Sequence, residues 1–382
     1  MDKLLFIARN DILTDSSSTG KKVYREYRAF SKMFDTYLIS QSVKRIVLTH
    51  NNESNIVLEL KNRRDVIKAI NQYIVEFQRN INCDKVYIRY PKTNPLFLKC
   101  LKELSDRGCR TIIEFPTYPY DKEIKTYGKR IRDKLIFYVD RIFRERLHHY
   151  VYAATTFSTH KTIFGIPSFQ IFNGVFVDEI SERDPVLSDD IHVIAVAEMQ
   201  RSHGYDRFIQ GLAEYYQNST NHQKVYLHLV GDGPEKSKYE EMAAEKKLDD
   251  YVIFHGYCTG EKLDQLYNLC SIALETLALH RVGINLSSSL KSREYLCKGL
   301  PFITSVDIDI IPDGYEYVHR VSADDSSVDI LGVISFYEKV YKQGTPFVLE
   351  NIRGFAKNYC DIEKILHRVR DKYCLLYTSR CV

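Results

Sequence analysis

No Cys-x-x-Cys pair occurs among the nine cysteines, at 83, 100, 109, 258, 270, 297, 360, 374 and 381, and most of them lie inside apolar runs. That spacing argues against a zinc cage or a disulfide framework and fits a reducing compartment. No stretch approaches 18 apolar residues, and the chain runs directly into Lys3-Leu-Leu-Phe-Ile7 without a long apolar leader or a cleavage site. The expectation is a cytoplasmic protein that spans no membrane. An excess of one charge is missing too: 54 Lys and Arg less 50 Asp and Glu leave +4, too mild to imply a nucleic-acid partner. Any basic function is therefore local. Internal repeats and low-complexity segments are absent. What is present is 382 residues, length for two or three domains, with 44% hydrophobic residues to build a core in each.

Short apolar runs alternate with amphipathic ones. Leu4 to Ala8 reads as a buried strand and Val23 to Phe34 as a helix; Asp84 to Tyr90, Asn94 to Asp106 and Arg110 to Glu114 repeat strand, helix, strand, with Gly108 as the cap. Ala153 to Phe157 and Phe169 to Phe172 are strand-like. The polar, acidic stretch Asp178 to Asp190 separates two halves. Beyond it the rhythm restarts, with strands at His192–Ala197, Val225–Val230 and Val252–Tyr257, and helices at Tyr205–Gln217, Val328–Lys342 and Asp361–Cys374. Such alternation predicts an α/β protein with parallel sheets. The boundaries expected are a first domain over 1–178, a linker over 179–190, a second domain over 191–350, and terminal helices over 351–382 that cross back to the first.

The most informative stretch is Ser287-Ser-Ser-Leu-Lys-Ser-Arg-Glu-Tyr-Leu-Cys-Lys-Gly-Leu-Pro-Phe-Ile-Thr304. A serine N-cap, a short helix from Leu290 to Lys298 and a Gly299–Pro301 stop lead into the strand Phe302–Thr304, while Ser271 to Leu279 reads as the strand before it. In such a unit an anion sits against the helix N-terminus at the strand ends. Lys291, in the first turn, is well placed for a phosphate. Glu294 shares a face with Leu290 and Cys297; its plainer reading is a surface pair with Lys298.

Three other stretches carry candidates. Asp15 to Lys22 holds Gly20-Lys21, yet a phosphate-binding P-loop wants glycine where Asp15 stands and Ser or Thr where Lys22 stands, so nucleotide hydrolysis is a remote alternative. Glu114-Phe-Pro-Thr-Tyr-Pro-Tyr-Asp-Lys-Glu123 gathers three carboxylates and two tyrosines between prolines. Its plain reading is a rigid surface turn. Lys125 to His149 interleaves eight cations (Lys125, Lys129, Arg130, Arg132, Lys134, Arg141, Arg144, Arg146) with eight large apolar residues. That is the composition of a membrane-surface helix, with a solvated face as the alternative.

The helix ending in Gly299-Leu300-Pro301, taken in order after Gly231-Asp-Gly-Pro234 and Val252-Ile-Phe-His-Gly-Tyr257, resembles the donor half of the retaining glycosyltransferases of family 4, which have the GT-B fold. The loop Glu114 to Glu123 resembles the acceptor-side loop of bacterial surface-polysaccharide members. The resemblance implies two Rossmann-like domains, a nucleotide-sugar donor in the second, a hydroxylated glycan or lipid-linked acceptor in the first, and no metal or other cofactor. Carried over by position, Glu294 and Lys291 become the catalytic candidates. Ser288, Ser289, Lys291, Arg201, His203, Arg207, Gly231 and Asp232 fall to the donor nucleotide, and His280, Arg281 and Gly283 to the sugar. Gly20, Lys21, Glu114, Tyr118 and Asp121 fall to the acceptor side. Three departures stand out: Leu286 replaces the family's first glutamate, and Glu198 and His203 replace its arginine and lysine. They keep open a non-catalytic nucleotide-sugar-binding module; a nucleotide-sugar epimerase of the same fold would need acid/base carboxylates and no acceptor.

Overall fold

A computed structural model describes residues 2–13, 18–62, 65–120, 131–186, 188–217 and 223–374. The chain divides into two compact units, one of Met1–Phe172 with Ile362–Val382 and one of Asn173–Asp361.

The first unit runs β1 (Lys3–Ala8), α1 (Ser18–Ser31), β2 (Asp35–Ser42), β3 (Arg45–His50), β4 (Glu53–Glu59), α2 (Val66–Ile81), β5 (Lys85–Arg89), α3 (Pro95–Asp106), β6 (Arg110–Phe115), α4 (Ile131–Phe143), β7 (Ala153–Thr156), β8 (Thr162–Ile163) and β9 (Ile166–Gln170). These strands form one sheet in the order β4-β3-β2-β1-β5-β6-β7-β9-β8. Leu4 to Ala8 are buried without alternation, as a central parallel strand covered on both faces requires. β2 to β4 are antiparallel instead: Asn51 and Asn52, with φ of 51° and 63°, supply the left-handed pair a tight hairpin turn needs.

Helix α1 starts before the expected Val23, because Gly20, Val23, Tyr27 and Phe30 form one buried stripe at helical spacing. Gly20 and Lys21 are thus helical, not part of a loop, and Lys21 faces solvent. The basic helix is shorter than expected; α4 ends at Phe143, and a tight 3-10 turn over Arg144–His149 follows. Arg144 is buried, its guanidinium 4.5 Å from the Phe164 ring centre, so it leaves the cationic surface. Asp15, Asp121, Lys125, Lys129 and Arg130 lie outside the described residues.

The second unit runs β10 (Ile191–Val196), α5 (Tyr205–Gln217), β11 (Val225–Val230), α6 (Lys236–Glu245), β12 (Val252–Gly256), α7 (Gly260–Leu269), β13 (Ile272–Leu274), β14 (Leu286–Ser287), α8 (Leu290–Cys297), β15 (Phe302–Thr304), β16 (Asp307–Ile308), β17 (Val318–Arg320), α9 (Ile330–Tyr341) and α10 (Thr345–Tyr359). Its main sheet is parallel in the order β12-β11-β10-β13-β15-β17, and β14 pairs with β16 beside it. The stretch 179–190 is packed into this unit: buried Arg183 donates to Cys270 O and Tyr341 Oη, both at 2.7 Å. The last helix, α11 (Ile362–Cys374), returns to the first unit, where Tyr373 Oη donates to Val86 O at 2.7 Å. Helix α10 stays with the second.

One row of side chains crosses the second sheet. His192 Nδ1 lies 2.9 Å from His228 Nε2, and His228 Nδ1 lies 2.9 Å from His255 Nε2. Each contact needs one bare ring nitrogen as acceptor, so no more than one of the three rings can carry a charge at a time. Burial, then the neighbouring rings, pushes His228 down to about 3. The folded state binds the proton less readily than the unfolded chain, with its ordinary value near 6.5, so stability is lost as pH falls from about 6.5 toward 3. His228→Gln is expected to cost about 1–2 kcal/mol at pH 8 from lost hydrogen bonds. Its urea stability should nevertheless fall less steeply than wild type between pH 6.5 and 4.5, where a full proton difference is worth ~1.4 kcal/mol per pH unit.

Candidate functional site

The strand order of the second sheet reverses between β10 and β13, the kind of switch point at whose carboxyl ends open α/β sheets bind ligands. A cavity of about 690 Å³ opens at the ends of β10, β11 and β12, lined by Val196, Ala197, Glu198, Val230, Gly231, Asp232, Gly233, Tyr257 and Cys258. Glycine is required at its floor. A Cβ on Gly231 would meet Ala197 O at 2.0 Å and one on Gly233 would meet Met199 N at 2.4 Å, at φ of 126° and 150°. Asp232 O accepts from Met199 N at 2.6 Å, which ties the two loops together.

Across the reversal stands α8. Ser289 caps it, accepting from Ser292 N at 3.3 Å, and Gly299 in the left-handed region at φ 69° closes it ahead of Pro301. Its orientation is held by Arg293, which is wholly buried. That guanidinium donates to Asn173 O at 3.1 Å, Ser292 Oγ at 3.0 Å and Ser289 O at 3.3 Å, and pairs with buried Asp309. Ser288 Oγ accepts from Asn173 N at 3.2 Å. Ser288 thus carries part of the scaffold.

Lys291 differs from its neighbours. Its ammonium nitrogen is shielded from solvent and has no hydrogen-bond partner. Burial lowers its pKa, and Glu275 opposes the shift. Glu275 follows β13, which ends at Leu274 rather than continuing to Leu279 as expected: the chain turns there, leaving Glu275 fully buried. Its carboxylate accepts from the Ser289 hydroxyl and from Thr276 N and Oγ. Burial alone would raise its pKa, but Lys291, Ser289 and Thr276 together lower it. The loop after β10 reaches the same group. Gln200 N donates to His203 Nδ1 at 3.1 Å, and burial, then Lys291, pushes His203 down to about 3. His203 is therefore a neutral ring and supplies no cation for a phosphate.

Several expected ligands are committed elsewhere. Arg207 is buried as a clamp, donating to Ser326 O at 2.7 Å and Ser322 O at 3.0 Å, so it does not serve a phosphate. Arg281 forks onto Asp206 at 2.8 and 3.1 Å and bonds Asp325 at 2.7 Å, which also meets His280 Nε2 at 3.2 Å. Neither side chain is presented to a sugar. Gly283, φ 71°, terminates the 3-10 turn Leu279–Val282. Arg201 is exposed at the start of another 3-10 turn, where its carbonyl accepts from Arg281 at 3.0 Å. Glu294 is half-buried and accepts from Tyr267 Oη at 3.0 Å. Leu286 is exposed in β14. Asp307-Ile-Asp309 is an Asp-x-Asp triplet just past β15, but its carboxylates part company: Asp309 joins Arg293 and Asp307 joins Arg320.

In the first unit the charged residues compensate one another. Glu114, at the end of β6, is fully buried between Arg89 at 3.1 Å and Lys22 at 3.3 Å, which corrects its expected role in hydroxyl contacts. Glu26 completes the group, 3.5 Å from Lys22. Burial, then Glu114, raises Glu26 to about 7. Tyr118 packs edge-on against His160 and Phe164, with centroids 4.9 and 5.5 Å away. Sequence reasoning missed Glu275, Arg293, Tyr257 and this cluster. The carboxylate placed directly after the apolar run ending at Leu274 was the available signal for Glu275.

Solved structures similar to nearly the whole chain fit this arrangement. A glycosyltransferase from Rickettsia africae ESF-5 matches with a TM-score of 0.66 and 13% identity over 97% of each chain. Sucrose-phosphate synthase from Thermosynechococcus elongatus matches at 0.65 and 15% over 99% of this chain and 100% of that one. HepE of Anabaena in complex with UDP matches at 0.62 and 11% over 98% and 100%. The fold is that of GT-B glycosyltransferases, with two Rossmann-like units. By sequence, residues 177–312 match the family model described as glycosyl transferases group 1, and no curated protein matches the chain.

Arg293→Met strands Asp309 as an unpaired buried carboxylate. The expected loss is roughly 3–5 kcal/mol of stability, read by urea or thermal unfolding. Adding Asp309→Leu should recover more than half of it, because the pair is then replaced by apolar groups.

Proposed function

We propose that the protein is a glycosyltransferase that moves a sugar from a nucleotide-sugar to a hydroxylated acceptor. One observation carries this reading: a buried lysine ammonium with no hydrogen-bond partner, in the first turn of a capped helix, at the strand ends of a parallel sheet. An unpaired buried cation is a liability unless an anion completes it. A diphosphate fits, since helix N–H groups and a cation stabilise the negative charge that builds on a leaving diphosphate. In this reading no metal is called for. The cavity lined by Gly231, Gly233 and Tyr257 takes the nucleoside, with the exposed Tyr257 ring beside the base, and Glu294 meets the ribose diol. Retention of configuration and a glycan or lipid-linked acceptor, held by the first unit through groups such as Lys21 and Tyr118, complete the proposal.

Location at the cytoplasmic face of a membrane belongs to the same reading, and α4 supports it. Ile131, Leu135, Tyr138 and Ile142 recur at four, three and four residues and are 87, 62, 62 and 65% exposed, with Arg132, Lys134 and Arg141 exposed among them. Among the described residues no helix is long and apolar enough to cross a membrane. Surface docking is what such a stripe can do.

Two measurements test these statements. Against a panel of UDP-, GDP- and dTDP-sugars, Lys291→Ala and Glu294→Gln should each weaken binding of the preferred donor by about 1–3 kcal/mol while melting as folded proteins. Unchanged affinity in both removes the donor helix from function, and conversion of the donor to an epimer without acceptor favours the epimerase. Wild type should co-sediment with anionic vesicles at low salt and detach at high salt. Leu135→Asp with Ile142→Asp should abolish sedimentation; if it does not, α4 is a solvated face.

A further inference from the structure

The proposed donor site leaves one question that its residues answer: how a buried ammonium without a hydrogen bond stays charged. Two side chains from other elements interact electrostatically with it. Glu275, at the end of β13, is anionic; His203, ahead of α5, is neutral and contributes no counter-charge. Glu275 is itself fixed, because the Ser289 hydroxyl that caps α8 through Ser292 N also donates to the Glu275 carboxylate. Thr276 holds the same carboxylate through its backbone N–H and its hydroxyl. Cap, carboxylate and lysine are therefore one assembly, with the carboxylate oxygens already occupied by neutral donors and the ammonium left over.

We propose that Glu275 is a positioning residue for the donor: its buried carboxylate is the counter-charge that keeps the Lys291 ammonium in place and ionised without bonding it, so that an incoming nucleoside diphosphate meets an unengaged cation. This rests on the donor reading above and adds a residue to it. The direction of the Lys291 shift agrees, with burial favouring the neutral amine and Glu275 opposing it. Replacing the carboxylate by an amide removes the opposing influence, so the amine would lose its proton more readily.

The experiment is a pH series of UDP binding by calorimetry from pH 6.5 to 9.0, on wild type, Glu275→Gln and Glu275→Gln/Lys291→Arg. Wild-type affinity should vary less than threefold. Glu275→Gln should weaken at least tenfold as pH rises across the series. The double variant should regain a flat profile, because a guanidinium stays protonated throughout. A merely structural role for Glu275 would lower affinity equally at every pH and would not be rescued; either result overturns the proposal. Glu275→Asp, which keeps the charge, serves if the amide variant does not fold, and its profile should stay flatter than that of Ser289→Ala. If wild type binds no nucleotide in the panel, the donor reading fails. The pairing is then decided alone by the NMR titration of ¹³C-labelled lysine: a Lys291 resonance that titrates at the same pH in wild type and Glu275→Gln overturns it.

Discussion

The second unit depends on a guanidinium that has no access to water. Arg293 draws three separate pieces of chain onto one point: Asn173 at the start of the unit, the Ser288–Ser292 turn that opens α8, and Asp309 beyond β15. Removing such a charge from water is expensive, and the return comes only if every donor finds an acceptor with good geometry. Arg can do this where Lys cannot, because its planar fork reaches several carbonyls at once. The consequence is positional. With Arg293 anchored, the first turn of α8 is tied to Asn173 and Asp309, and the residue two places earlier, Lys291, is carried to the strand ends, where its ammonium has no hydrogen-bond partner.

That arrangement places stability and function in opposition. An unpaired buried ammonium lowers stability, yet it is the feature that makes an anion welcome. The first unit resolves the same problem the other way. At the ends of β5 and β6 it buries Arg89 and Lys22 against Glu114, with Glu26, whose carboxyl is raised to about 7, beside them. Both of those cations already have a carboxylate partner, whereas the Lys291 ammonium has no hydrogen-bond partner. The difference between the two sets of strand ends is thus electrostatic rather than topological, and it is why the nucleotide is assigned to the second unit.

Much of this was legible from residue patterns. Strand–helix alternation, the α8 cap and the Gly299 stop rest on local chemistry, which a sequence displays directly, and α5 and β11 fall where the apolar spacing put them. The hairpins β2 to β4 and helix α2 were not read, although Asn51-Asn52 carried a turn signal. The site was legible only in part. Lys291 rests on its place in a helix, a local property. Arg207 looked like a phosphate ligand and Arg281 like a sugar ligand because they fall near the right loops, but their partners Ser326 and Asp325 lie more than forty residues away in sequence. No periodicity reports such a pairing. Glu275 was absorbed into an apolar run although its carboxylate interrupts that run, because where the strand ends shows only once the chain is seen to turn there.

The three departures from the family pattern acquire a common physical sense in this light. His203 is neutral, so the loop after β10 adds no positive charge beside Lys291; Glu198 in that loop adds a negative one at the cavity wall. Exposed Leu286 removes a carboxylate. With two fewer cations than the pattern and no fewer anions, the charge balance near the expected diphosphate falls on Lys291 and on whatever sustains it. A buried carboxylate within the same capped assembly is the economical way to sustain it, because it opposes deprotonation while its own oxygens are bound to Ser289 and Thr276. The substitutions that make this site look depleted are, on that argument, consistent with a donor site run by a single well-supported cation.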